Sequence, residues 1–195
     1  MDFEGIKNFT FRTLEETLPE ILTYHNAAHT REVVDSCREF AAIENVKGED
    51  LVILLSAACL HDCGFLTQYK KNESIACAFA EKELPLFGYD ANAISKICRL
   101  IMVTAIPQHP SSNILEMIIC DADLSYLGTD SFFEKANLFR KELAFQDIAY
   151  TDKDWLKFEL DFMESHSYFT SAARTLRGPR KEENTAMLRN RIAGH

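Results

Sequence analysis

Three short stretches place histidines and aspartates where their chemistry needs explaining. "YHNAAHTREVV" (24–34) carries His25 and His29, "LVILLSAACLHDCGF" (51–65) carries His61 and Asp62, and "NILEMIICDADLSYLG" (113–128) carries Asp121 and Asp123. Neutral imidazole together with carboxylate suits first-row transition cations such as Zn, Mn, Fe or Ni. The middle stretch gives the strongest signal. A helix apolar on every side is a buried helix, yet this one ends in an imidazole beside a carboxylate. Burying that pair is costly unless it is hydrogen-bonded, ion-paired or coordinated. Gly64 marks the helix end, where a cation would also meet the negative end of the helix dipole.

Taken singly, each stretch has a plainer explanation. His61 and Asp62 could form a structural hydrogen bond, and either Asp121 or Asp123 could cap or pair. Two residues turn about 200° around a helix, so the two aspartates cannot both face one point. If Asn26 is an N-cap, His29 falls in the first helical turn and His25 just outside it. HNAAH is therefore not the two-histidine face of a zincin, and it lacks that motif's glutamate. Taken together, His29, His61, Asp62 and one of Asp121 or Asp123 supply two imidazoles and two carboxylates from three separate helices. Such a mixed set with positions left for water is the layout of a hydrolytic metal centre.

That ordered set resembles the H…HD…D signature of the HD-domain phosphohydrolases, and the resemblance runs through most of the chain. "YHNAAHTREVV" is similar to the Y-H-N-x-x-H segment of that superfamily, including its cyclic-nucleotide phosphodiesterase branch. "CLHDCGF" is similar to the HD dyad, and "DADLSYLG" to the closing A-D-L segment. The small stand-alone bacterial members look most alike. The resemblance implies an all-α bundle of roughly eight to ten helices, with His29, His61, Asp62 and Asp123 as metal ligands. It favours Asp123 over Asp121 because the family's last ligand follows a small residue and precedes an aliphatic one. It implies hydrolysis of a phosphoester in a small phosphorylated metabolite or nucleotide, Asp62 accepting a proton from the attacking water and His25 protonating the leaving oxygen. Two departures bear on the metal count. Asn72-Glu73 stands where many two-metal members carry His-Glu, and Thr104 stands in "IMVTAIPQHP" where a further histidine is common, His109 following a few residues on. The cofactor expected is one divalent ion (Mn, Fe, Ni, Co or Zn, with Mg allowed), a second being at most weak. The alternative is a catalytically silent HD module that binds a nucleotide or a partner protein.

Charge developing on a phosphoryl group needs cationic or N–H partners. Lys70 and Lys71 in "QYKKNES" (68–74) precede a helix that Asn72 is placed to cap, a candidate anion site and equally a solvated loop. His166, in "ESHSYFTSAARTLR" (164–177), either lines the pocket with Arg174 or fills an interhelix turn. The acidic and aromatic stripe from Trp155 to Phe162 reads as core packing plus a solvated face. The six cysteines include no C-x-x-C pair and sit in apolar segments, so even Cys59 and Cys63, which flank His61, read as small hydrophobes.

The elements that must position these residues read as helices throughout: 3–18, 27–43, 49–63, 73–87, 91–104, 113–127, 131–145, 152–164, 169–176 and 181–192. No alternating run long enough for a strand is present. Residues 1–178 are expected to form one domain, with 179–195 as a terminal helix packed on it or trailing it. The 21 Lys and Arg against 30 Asp and Glu give a formal charge of −9, which repels nucleic-acid polymers. The longest apolar run is about half a membrane span, and the acidic "MDFEGIKNFTF" lacks a secretion signal's layout. These features predict a cytoplasmic protein with no membrane partner; a homodimer is allowed.

Overall fold

Helix starts follow local capping chemistry. Asn26 accepts from the backbone N–H groups of Ala28 and His29, Asp90 from Ala93, Asn113 from Leu115 and Thr151 from Asp154. The structure, a computed structural model, describes residues 1–194. It contains α1 (Phe3–Thr17), α2 (Ala27–Ile43), α3 (Gly48–Leu60), α4 (Asn72–Glu83), α5 (Ala91–Met102), α6 (Ile114–Asp123), α7 (Phe132–Phe145), α8 (Asp152–Ser165) and α9 (Ser171–Ala193). Short 3-10 turns follow α3 (Cys63–Leu66), α4 (Leu84–Phe87) and α6 (Ser125–Gly128). No strand occurs among the described residues, so the chain is all-α.

Two expectations about element ends fail. Asn72 does not cap α4: Lys71 occupies that place in the left-handed region (φ 60°) with no side-chain cap bond, and the Asn72 amide turns toward Asp62 instead. Gly178-Pro179 does not break the last helix, so the boundary expected at 178 falls inside α9. Proline removes one intrahelical hydrogen bond, but burial on both sides of it holds the helix through: Ala172 and Ala173 before it, Asn184, Thr185 and Leu188 after it. The Asn184 amide donates to the carbonyls of Leu127 (3.0 Å) and Thr129 (2.9 Å). Of the 179–195 segment, His195 lies outside the described residues.

The core explains where the site sits. Every residue from Ile53 to Leu60 is buried, and α3 packs against α1, α2 and α5 while α2 also packs on α6. The end of α3 and the end of α6 thereby come to the start of α2, each delivering one polar segment. A second core of Phe132, Ala136, Leu143, Trp155, Met163 and Leu188 joins α7, α8 and α9 into a wall beside that point.

Candidate metal centre

Asn26 caps α2 and holds His29 in its first turn, 3% exposed. His61 and Asp62 follow the last turn of α3, and the 3-10 turn beginning at Cys63 presses them against α4. A Cβ on Gly64 would lie 1.9 Å from the Asn72 carbonyl oxygen, so only glycine permits that approach. Asp123 is the last residue of α6.

The four expected ligands converge. His29 Nε2 lies 3.4 Å from Asp62 Oδ2 and 3.3 Å from Asp123 Oδ1. His61 Nε2 lies 3.2 Å and 3.5 Å from the same two oxygens. One atom each of His29, His61 and Asp123 falls within 4.8 Å of the others. His29 Nε2, His61 Nε2 and Asp62 Oδ2 are enclosed and have no hydrogen-bond partner. Atoms about 2.0–2.4 Å from one cation are themselves about 3–3.5 Å apart. Two imidazole nitrogens that each approach the same two carboxylate oxygens at that spacing, three of the four atoms being otherwise unsatisfied, fit a single divalent ion.

The outer contacts aim these atoms inward. His61 Nδ1 donates to the Ala58 carbonyl at 2.8 Å, which turns Nε2 toward the cluster. Gln108 Nε2 donates to Asp123 Oδ2 at 2.9 Å. The Asn72 amide, turned one way, donates to Asp62 Oδ1 (3.5 Å) and, turned the other, to Glu73 (3.1 Å). Burial pushes the Asp62 carboxyl up, but His61 and then His25 and His29 outweigh it and hold it below the usual range. Asp123 behaves alike, burial being overcome by His29 and His61. Burial lowers His61, yet Asp62 and Asp123 drive it well above its ordinary value.

Asp121 does something else. It is fully buried and accepts from the Phe169 and Thr170 N–H groups and the Thr170 hydroxyl, at 2.7–2.8 Å. The first aspartate of the pair thus anchors the start of α9.

His25 sits beside the cluster, its ring 5.8 Å from that of His29 and stacked 4.4 Å from Phe65. Its Nδ1 donates to Glu142, a fully buried carboxylate of α7. Glu142 also accepts from the backbone N–H groups of Tyr24 (2.8 Å) and His25 (3.0 Å) and from the Tyr69 hydroxyl (3.0 Å). Burial lowers His25, but Glu142, then Asp62 and Asp123, raise it above the ordinary imidazole value.

Lys70 and Lys71 are exposed on the turn before α4 and line none of the cavities that touch the cluster. His166 caps the end of α8, packed edge-on to Tyr168 at 4.7 Å and stacked on Phe162. Burial and then Lys181 push it down to about 4, and it does not line those cavities either. Arg174 donates to the Tyr168 carbonyl. The cysteines are free thiols, and burial raises Cys59 to about 12.

Two cavities open from the cluster. The wider, about 650 Å³, runs past His29 and Asp123 and carries both arginines (Arg38, Arg177) and acids (Glu32, Asp35, Glu39) on its walls. The narrower, about 290 Å³, runs from His25 and Asp123 between aromatic rings to Glu159 of α8. Sequence reasoning missed Gln108, Glu142 and Glu159. Only Glu159 left a local trace: it recurs at four-residue spacing with Trp155 and Met163 on the buried stripe of α8. The reading of that stripe's acids as a solvated face fails at this position.

No protein-family model matches the chain, and no curated protein does. Solved structures do. A predicted HD superfamily hydrolase from an uncultured Thermotogales bacterium aligns with 96% of this chain and 91% of its own, at 16% identity and TM-score 0.64. Bacillus subtilis YpgQ, in complex with ADP, covers 96% and 94%, at 17% identity and TM-score 0.68. A Lactobacillus plantarum protein covers 99% and 96%, at 15% identity and TM-score 0.74. The chain has an HD-type fold. Among the described residues no helix is long and apolar enough to cross a membrane.

Proposed function

We propose that the protein is a metal-dependent phosphohydrolase acting on a small phosphorylated metabolite or nucleotide, with His29, His61, Asp62 and Asp123 as ligands of one divalent transition cation. One observation carries this reading: two imidazole nitrogens each sit 3.2–3.5 Å from the same two carboxylate oxygens, and three of these four atoms are buried without a hydrogen-bond partner. The likeness in fold to a predicted HD superfamily hydrolase and to YpgQ with its ADP supports the reaction class and the phosphorylated ligand.

A cation bound there supplies Lewis-acid polarisation of water and of a phosphoryl oxygen. The rest falls to side chains. Asp62, held ionised by its imidazole neighbours, accepts the proton of the attacking water. Glu142 takes the Nδ1 proton of His25 as a hydrogen bond and fixes the ring, so Nε2 is the nitrogen that donates to the leaving oxygen. Burial of His29 and His61 keeps bulk water from competing for the cluster. Arg38 and Arg177 line the wider cavity beside Glu32, Asp35 and Glu39, and Arg177 is paired with Glu39, so Arg38 is the cation there that could meet an anionic substrate, whereas Lys70 and Lys71 would reach it only from the outer turn.

The test is to strip the protein with chelator, reload it with Mn, Fe, Co, Ni, Zn or Mg, and screen nucleotides and sugar phosphates for phosphate release. One equivalent of metal in the wild type, absent from Asp123→Ala, with release from a subset of substrates, is expected. Metal and nucleotide bound without release would instead mark a silent binding module. Equal trace metal in both proteins would overturn the reading.

A further inference from the structure

Four glutamates are buried, and three have partners. Glu83 pairs with Lys82, Glu116 with Arg99 and the Ser111 N–H, and Glu142 with His25, Tyr24 and Tyr69. Glu159 has none among the described residues. It is 3% exposed, its Oε2 is enclosed without a hydrogen bond, and burial alone pushes its carboxyl up to about 7. It is held on the inward stripe of α8 by Trp155 and Met163 on either side, at the end of the narrow cavity away from the cluster. Tyr24, Tyr126, Phe139, Phe158 and Phe162 make the walls between.

An unpaired carboxylate in such surroundings is costly unless something donates to it. The walls call for a flat ring, since aromatic faces stack bases of any identity. The volume, about 290 Å³, sits at the lower limit of small-molecule sites and suits one ring system. The carboxylate adds selection: two N–H donors on a bound ring would favour its ionised form over the protonated one that burial alone favours, and the ionised form only accepts. A ring edge with two adjacent N–H donors satisfies both oxygens, whereas an edge alternating donor and acceptor leaves one repelled. Polarity follows too, because phosphate is repelled from Glu159 and belongs at the His25 and Asp123 end.

We propose that the narrow cavity is a nucleobase site in which Glu159 selects a purine presenting two neighbouring N–H donors, the guanine pattern. This deepens the phosphohydrolase reading and rests on it only for the placement of the phosphate.

The test uses nucleosides, which carry no phosphate, on the full-length protein as purified. The only tryptophan, Trp155, stacks 5.3 Å from Phe158 and lies 6.2 Å from Phe139, both cavity walls, so its fluorescence reports occupancy; calorimetry gives the same constant independently. Guanosine is expected to bind about tenfold more tightly than inosine, which lacks one donor, and than adenosine, a difference of about 1.4 kcal/mol. Glu159→Gln, nearly isosteric, should erase the preference, as should Glu159→Leu; should the leucine variant not fold, the glutamine variant decides. No nucleoside binding, equal binding of all three, or a guanosine preference surviving in Glu159→Gln overturns the proposal. Guanosine preference without phosphate release from any guanine nucleotide or sugar phosphate with any of the six metals would sink the hydrolase reading alone. Phosphate release with no base preference would sink this inference alone.

Discussion

Replacing Glu159 by glutamine should remove a pH-dependent destabilisation of about 3 kcal/mol. The magnitude comes from an unpartnered carboxylate, 3% exposed, whose burial raises it from 4.5 to about 7. Unfolded, the same group titrates near its ordinary value. Between those two pH values the folded chain keeps a proton that the unfolded chain has released. Stability therefore falls as pH rises, by up to about 1.4 kcal/mol per unit. The destabilisation is absent below about pH 4.5 and complete above about 7, and a span of about 2.5 units gives about 3 kcal/mol. Glutamine stays neutral throughout, so its own burial offsets the curve without tilting it. Urea unfolding of both proteins from pH 4 to 9, in chelator, isolates the group by difference. His25, Asp123 and Tyr126 line the same cavity but titrate in both proteins. The variant should gain about 3 kcal/mol on the wild type between pH 4.5 and 8. A difference flat to within about 0.5 kcal/mol would mean that the carboxylate is hydrated or paired, and the cavity argument would lose its footing.

A divalent ion at about a hundred times its Kd should stabilise the fold by about 2.7 kcal/mol, raising the melting temperature by roughly 5–10 °C. Asp123→Ala should abolish that rise. Asp121→Asn should keep it despite losing about 1–3 kcal/mol from the contacts to Phe169 and Thr170; a full rise in Asp123→Ala melting scans would place the ion elsewhere. Gln108→Ala frees the second oxygen of Asp123 and should weaken metal binding about 10–100-fold in competition with a chromophoric chelator; unchanged affinity would show that the amide does not orient the ligand. Glu142→Gln should lose about 3–5 kcal/mol at neutral pH. Burial raises the Glu142 carboxyl, but His25 and the backbone N–H groups hold it below the usual range, so the wild type's advantage shrinks on acidification below about pH 4.5, and it shrinks again at alkaline pH as His25, raised by Glu142, loses its proton; an advantage that does not vary with pH would refute the ion pair.

The candidate ligands were legible because their polarity conflicts with their own segments: an imidazole and a carboxylate closing a helix as apolar as α3 demand a reason before any contact is known. What the segment cannot supply is the partner across the fold. Rotation separated Asp121 from Asp123 but could not say which faced inward, since the bonds that occupy Asp121 come from residues 48 and 49 positions on. Glu142 reaches His25 over 117 positions. The α9 boundary was misread because Gly-Pro is a strong local breaker, and the burial of Leu188 and Asn184 that overrides it is tertiary. The same conflict of polarity with surroundings recurs at His61 and Asp62, at Glu142 and at Glu159, and each has a different resolution. At the first, two imidazole nitrogens face two carboxylate oxygens, an arrangement that a protonated ring or a bound cation reconciles. At the second, four donors converge. At Glu159 the chain offers nothing, in a helix that could have carried leucine with a gain in stability. A residue kept against its own folding energy at the end of a cavity leading from the cluster is where a ligand's donors would be expected.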